Sequence, residues 1–210
     1  MKKNKRGKFV VLEGGEGSGK STQLALLQKI YGGSACFTRE PGGTPIAEKI
    51  RDLILSPDLK DANGYTQFGL FWAARADHME KLVIPALESG KHVITDRFDS
   101  SSYAYQIYGQ KAHYLKDLFF KMREVYLGKI VPDLYIFLKV SPRVGLARVA
   151  ARVGAKGDSN HFDERKADFH KRLTKGYIEF ISQFPHIVID ADRSVDEVTE
   201  DLKNILAALL

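Results

Sequence analysis

Glycines at 14, 15, 17 and 19, followed by Lys20 and Ser21, form an arrangement suited to holding phosphate. The stretch Gly14-Gly15-Glu16-Gly17-Ser18-Gly19-Lys20-Ser21-Thr22 comes after the short apolar run Phe9–Leu12 and leads into a helix-forming segment. Phosphate binding needs backbone N–H groups turned inward, and glycine permits the conformations that do this. A helix that starts at the same point adds its positive N-terminal end. Lys20 brings a mobile charge toward the β and γ phosphates, and Ser21 brings a hydroxyl able to ligate Mg²⁺. G-x-x-x-x-G-K-S with a strand before and a helix after reads as a nucleoside triphosphate site. Kinase, ATPase and GTPase chemistry all remain open at this point.

Other polar residues follow other apolar runs. Arg39 stands just past Ala35–Thr38, before a Pro41-Gly42-Gly43 turn. It suits bidentate binding of a second phosphate, or a solvated turn. Arg51, on an expected helix over Ile46–Leu55, is either solvated or reaches the same anion. Asp96 and Arg97 follow His92–Thr95. Asp96 suits the hydration shell of Mg²⁺ beside Ser21, and Arg97 suits a clamp on a phosphoryl acceptor; a structural ion pair is the alternative. Ser100–Gln106 offers hydroxyls and an amide for reading a base or sugar, or a serine-capped helix start.

The elements that carry these residues are legible from hydropathy. The runs Phe9–Leu12, Ala35–Thr38, His92–Thr95, Leu134–Val140 and Ile187–Ile189 lack polar alternation, as parallel strands covered on both faces do. Helix-period stripes lie between and after them: Leu115, Leu118, Phe119, Met122 and Tyr126; Phe169, Leu173, Tyr177 and Phe180; Val198, Leu202, Ile205, Leu206 and Leu209. This alternation predicts an α/β fold, a doubly wound sheet of about five parallel strands. Ligands bind such sheets beyond the carboxyl ends of the strands, where the polar residues above fall.

Composition bounds the partners. With 210 residues, 44% apolar and 28% charged, the chain reads as a single globular domain, not a disordered, collagen-like or disulfide-scaffold chain. Lys and Arg total 32 against 26 Asp and Glu. Five of the positive charges lie in residues 1–8, which hold no acid, so the rest of the chain is close to neutral. The basicity belongs to a tail, and no nucleic-acid surface is expected on the body. Cys36 is the single cysteine, which excludes an intrachain disulfide and fits a reducing compartment. The first apolar run stops at Glu13, too short for a signal peptide, and no stretch has the length of a membrane span. The expected location is the cytoplasm, with no membrane partner.

The loop, Thr38–Thr44, Leu70–Arg75 and Asp96–Gln106, in this order and spacing, resemble the thymidylate kinases, which are nucleoside monophosphate kinases of the P-loop class. The resemblance runs from Lys8 to the last helix. It implies a P-loop NTPase fold: a doubly wound five-stranded parallel sheet, helices on both faces and a lid. The expected organisation is a tail over 1–8 and one domain over 9–210, with the lid at about 148–163. The implied reaction is phosphoryl transfer from ATP to dTMP with Mg²⁺, in a homodimer. Gly14 to Thr22 would bind ATP, and Ser21 and Asp96 would serve the metal. Arg39, Arg51 and Arg97 would hold the acceptor phosphate. Phe71 would stack on thymine, Arg75 would meet a base carbonyl, and Ser102 and Gln106 would read the base edge. Trp72, beside Phe71, is expected in the core. Tyr105 would crowd the sugar 2′ position, and Glu16 would lie near the 3′-hydroxyl. Lys20, Arg97, Arg152 and Glu16 form the implied catalytic set. The loop has Gly17 after Glu16 and no arginine, so the resemblance implies that the catalytic arginine comes from the lid, with Arg152 chosen ahead of Arg148 and Lys156. Related sequences carry arginine where this chain has His161. A kinase for another nucleoside monophosphate, and a P-loop ATPase acting as a nucleic-acid-binding or regulatory module, are the alternatives.

Overall fold

The computed structural model describes residues 6–59, 62–156 and 167–210, apart from the side chains of 152–156 and 167. The expectations placed on His161, on the rest of the lid over 157–163 and on the side chains of Arg152 and Lys156 lie outside these described residues. β1 (Phe9–Gly14) passes through the glycine loop into α1 (Lys20–Tyr31), and β2 (Ala35–Arg39) is followed by α2 (Pro45–Leu55). α3 (Gly64–His78) continues through a π-turn at Met79–Val83 into α4 (Ile84–Glu88) and β3 (His92–Asp96). α5 (Asp99–Ser102) runs into a second π segment, Tyr103–Gly109, before α6 (Lys116–Leu127) and β4 (Leu134–Lys139). α7 (Pro142–Lys156), α8 (Ala167–Ile181), β5 (His186–Asp190) and α9 (Val195–Leu209) complete the described chain.

The strands form one sheet in the order β2-β3-β1-β4-β5, every neighbouring pair parallel. The chain winds to one side of β1 for β2 and β3 and to the other for β4 and β5. The carboxyl end of β1 is therefore the switch point, where a crevice opens. The alternation of β1 explains its unbroken apolar run. Phe9 and Val11 belong to a core with Trp72, Phe119, Leu173 and Phe180, while Val10 and Leu12 belong to a second core with Leu27, Ile136, Val198 and Leu202. β5 departs from the sequence reading: as an edge strand it leaves Ile187 and Val188 36% and 42% exposed.

Register sets the ligand edge. Arg39 of β2 lies level with Asp96 of β3, and Asp96 with Leu12 of β1. Arg39 and Asp96 are thus the last strand residues and not the first loop residues. Local caps fix the helices that flank this edge. Thr44 accepts from Ala47 N at 3.4 Å with Pro45 at the first helical position of α2, Asn63 accepts from Thr66 N at 2.9 Å to start α3, and Ser194 with Glu197 forms a capping box on α9. At the amino end, Arg6 and Lys8 pair with Asp133 at 3.1 and 3.5 Å.

Candidate active site

α1 starts differently from α2, α3 and α9. Its cap residue is Gly19, at φ 89°, with no side-chain cap and no acid in the first turn. The first N–H groups are left for an anion, and the positive helix end is undiluted. Gly17 also sits at positive φ, 72°, and a Cβ there would come within 2.2 Å of Gly145 O on α7. Glycine is therefore required at 17 by conformation and by space. The Lys20 ammonium donates to Gly14 O at 2.8 Å, Gly15 O at 3.2 Å and Ser18 Oγ at 3.3 Å. Its pKa falls to about 8, mainly through burial and then through Arg97, against the opposing pull of Asp96, Glu16 and Glu13. A phosphate oxygen offers this ammonium the full negative charge that loop carbonyls lack.

Arg97 is the hub of the hydrogen-bond network beside the loop. It is a non-glycine residue at φ 68°, a sparsely populated conformation that clusters at functional sites. Nη2 donates to Glu16 Oε1 at 2.9 Å, and Nη1 donates to Gly14 O at 3.1 Å and Tyr177 OH at 2.8 Å. Its guanidinium carbon lies 5.2 Å from the Tyr105 ring centre, and Tyr105 OH donates to the same Glu16 oxygen at 2.7 Å. Burial opposes the charge, but Tyr105, Tyr177, Glu16 and Asp96 outweigh it and raise the Arg97 pKa. Glu13, fully buried at the end of β1, accepts from Phe98 N, Ser100 Oγ, Ser101 N and Ser101 Oγ at 2.6–3.1 Å. Burial pushes its carboxyl up, against Arg97 and the serines. Glu13 thereby fixes the turn that carries Arg97. Ser100 and Ser101 bond Glu13, whereas Ser102 bonds Arg75 on α3.

The third part of the site lies on α3. Trp72 is fully buried, while its neighbour Phe71 is half-buried and lines the cleft. Arg75, 2% exposed, donates from Nε to Glu40 Oε2 at 2.9 Å and from Nη2 to Ser102 Oγ at 3.1 Å, and its Nη2 lies 2.8 Å from the same Glu40 oxygen as an ion pair. Among the described residues its Nη1 has no partner, nor has either amide atom of buried Gln106. Buried polar atoms left unpaired in the wall of a cleft are places for ligand contacts.

These parts face one continuous cleft of about 1050 Å³, reaching from the loop to Phe71 and Gln106. Among the described residues, six cationic side chains and three carboxylates line it, a balance suited to polyanions. Arg51 is among them; Nη1 donates to Pro41 O at 2.8 Å, and burial followed by Arg39 lowers its pKa. Arg39 is not among the lining residues. It is exposed and paired with Glu48 at 2.8 Å. Ser21 and Asp96 both line the cleft, and Asp96 Oδ1 is buried without a partner among the described residues. One carboxylate and one hydroxyl fit Mg²⁺ held largely by phosphate oxygens and water. Among the described residues no cluster of His, Cys, Asp and Glu could cage a metal by itself. Arg148 donates to Gly17 O, Ala191 O and Arg193 O at 2.8–3.3 Å, tying α7 to the loop and to the β5–α9 turn.

Sequence reasoning missed Glu13, Glu40, Tyr177 and the turn over Ala191 and Arg193. A carboxylate closing an apolar strand is a usable signal for Glu13. Tyr177 gave none, because its spacing is that of a core position.

A family model for thymidylate kinase matches residues 12–202. The thymidylate kinase of Ruthia magnifica is 38% identical over 212 residues, covering 97% of this chain and 99% of its own. That of Nitrobacter winogradskyi is 42% identical over 200 residues, covering 93% and 86%. The crystal structure of thymidylate kinase from Ehrlichia chaffeensis matches with a TM-score of 0.74 at 26% identity, over 96% of this chain and 99% of that one. With the sheet order, the glycine loop and the cleft in agreement, the chain belongs to the thymidylate kinase family.

Proposed function

We propose that the protein transfers the γ-phosphoryl group of ATP to dTMP, giving ADP and dTDP. The observation that carries this is the single cleft. A phosphate cradle stands at one end, and a half-buried ring beside unpaired Arg75 and Gln106 atoms stands at the other. The loop N–H groups and Lys20 hold the donor phosphates. Arg97 and Arg51 hold the acceptor phosphate, with Arg39 reaching it by exchanging its Glu48 contact. Phe71 stacks on thymine, Arg75 Nη1 and Gln106 meet its polar edge, and Ser102 steadies Arg75. Tyr105 and Glu16 stand at the sugar. The acceptor phosphate is already ionised, so no general base is needed, and catalysis is alignment plus charge neutralisation. Mg²⁺ held through Ser21 and Asp96 neutralises charge on the donor phosphates when bound. Arg152 supplies lid charge to the phosphoryl in flight.

The same reading treats residues 9–210 as one domain behind a basic tail, acting in the cytoplasm. It also takes the protein as a homodimer, as the family resemblance implies. Among the described residues, no helix is long and apolar enough to cross a membrane. The test is coupled ADP release with dTMP, with UMP and with DNA. Strong dependence on dTMP is expected. Release that ignores dTMP, or that DNA stimulates, would overturn the assignment.

A further inference from the structure

His78 has no part in the chemistry assigned above, yet it is fully buried and bonded at both ring nitrogens. Nδ1 lies 2.9 Å from Glu40 Oε1, and Nε2 lies 2.8 Å from Thr38 Oγ1. A carboxylate accepts and does not donate, so Nδ1 carries the hydrogen and Nε2 is left to meet the Thr38 hydroxyl. Arg75 is three residues earlier on α3, on the same face. Both of its bonded nitrogens, Nε and Nη2, reach a single Glu40 oxygen, Oε2. A contact to one oxygen leaves the carboxylate plane free to turn, because that terminal torsion is soft. The second oxygen is held by His78. Room for the ring exists because residue 43 is glycine: a Cβ there would stand 2.9 Å from His78 Cδ2 and 2.5 Å from Thr38 Oγ1. The relay therefore runs from the end of β2 through His78 and Glu40 to Arg75, whose Nη1 has no partner among the described residues. Burying an arginine, a glutamate and a histidine together stabilises less than apolar packing of the same volume would, which argues for a role beyond packing.

We propose that His78 is a positioning residue for the acceptor: through Glu40 it fixes the plane of the Arg75 guanidinium, so that Nη1 meets the base carbonyl of dTMP. This rests on the dTMP reading above. The test compares steady-state kinetics and calorimetric dTMP binding for the parent, His78→Phe, His78→Asn and His78→Gln. Phe keeps the volume and loses both bonds. Asn places its amide nitrogen near Nδ1 and keeps the Glu40 contact, whereas Gln places its amide near Nε2 and loses it. For His78→Phe the dTMP KM is expected to rise about 10-fold, as when one buried hydrogen-bonding group is left unpaired. The ATP KM and kcat should move by less than about two-fold, the signature of lost binding and not of lost transition-state contact. His78→Asn should restore most of the dTMP affinity, and His78→Gln little of it. An unmoved dTMP KM in His78→Phe, equal behaviour of Asn and Gln, or both KM values and kcat failing together would overturn the proposal. If His78→Phe does not fold, the contrast between Asn and Gln decides alone. A parent without dTMP-dependent ADP release overturns the substrate reading as well; a normal parent with an unmoved variant overturns only the role of His78.

Discussion

The lowered pKa of Lys20 sets a pH dependence that can be worked out and measured. Burial, followed by Arg97, brings the ammonium from 10.5 to about 8, while Asp96, Glu16 and Glu13 restrain the fall. In the unfolded chain the group keeps its ordinary value. Below pH 8 both states hold the proton, and the cost of burying the charge is fully present. Between 8 and 10.5 the unfolded chain still holds a proton that the folded chain has released, so stability rises with pH across that window. A gap of that size corresponds to about 3 kcal/mol at 1.36 kcal/mol per unit. Lys20→Met removes the titration, so its stability relative to the parent should be highest below pH 8 and decline toward pH 10.5. Urea midpoints of the two proteins, taken at intervals from pH 7 to 10, measure this. ATP acts in the opposite direction, because its phosphates restore the reason to hold the proton. At pH 9, binding should take up close to one proton, read from calorimetry in buffers of different ionisation heat. A difference between parent and Lys20→Met that stays flat from pH 8 to 10, together with no proton uptake at pH 9, would refute the argument.

Phe71→Ala should raise the dTMP KM far more than the ATP KM, by the roughly 1–3 kcal/mol that a base-stacking ring supplies; unfolding of the variant would instead assign Phe71 to the core. Tyr105→Ala should relax the preference for dTMP over UMP in kcat/KM, while Tyr105→Phe keeps the ring, loses the Glu16 contact and should retain the preference. Arg152→Ala should lower kcat roughly 10²-fold with little change in either KM, a cautious figure beside the arginine fingers of related chemistry. Arg148→Ala, run beside it, should act on donor binding, since Arg148 is bonded to loop and turn carbonyls; a kcat collapse there would move the lid role from Arg152 to Arg148.

The sequence discloses most of the sheet and the candidate donor loop because both rest on local rules. The glycine loop needs no distant partner to be recognised, and the strands show as unbroken apolar runs because β1 feeds two cores at once. The strand order is not local. Nothing in the runs says that β3 inserts between β1 and β2, yet that insertion places Asp96 level with Leu12 and brings Arg97 to Gly14 and Glu16. The candidate acceptor side is harder to read for the same reason. Arg39 and Arg75 look alike as residues after or on predictable elements. One is exposed and paired with Glu48; the other is buried against Glu40 with one nitrogen unpaired. Only the fold of the Glu40–Pro41 turn onto α3 separates them. Tyr177 shows a further limit. Its ring packs with Phe137 as core periodicity predicts, while its hydroxyl bonds Arg97 and Ser101.

The cations of the cleft divide by how firmly they are held. Lys20 rests on two backbone carbonyls and Ser18 Oγ, and Arg51 rests on Pro41 O. These are neutral acceptors, which a charged phosphate oxygen outcompetes, because a charge-assisted bond is roughly twice as strong as one to a neutral group. Arg97 and Arg75 are different, since each is fastened to a carboxylate. They can bind a ligand only with the donors that the carboxylate leaves over, so their orientation is set in advance. The difference is one of preorganisation and does not separate donor from acceptor, since Arg51 is proposed for the acceptor phosphate beside Arg97. Exchangeable contacts can follow a phosphate whose charge shifts during transfer, while donors fastened to a carboxylate orient a ligand without further reorganisation. Glu13 completes the division. It is fully buried and spends its contacts on Phe98, Ser100 and Ser101, holding the turn on which Arg97 is mounted. The rigid part of the site is thus built into the end of β1, one residue before the chain enters the loop that must bind a moving charge.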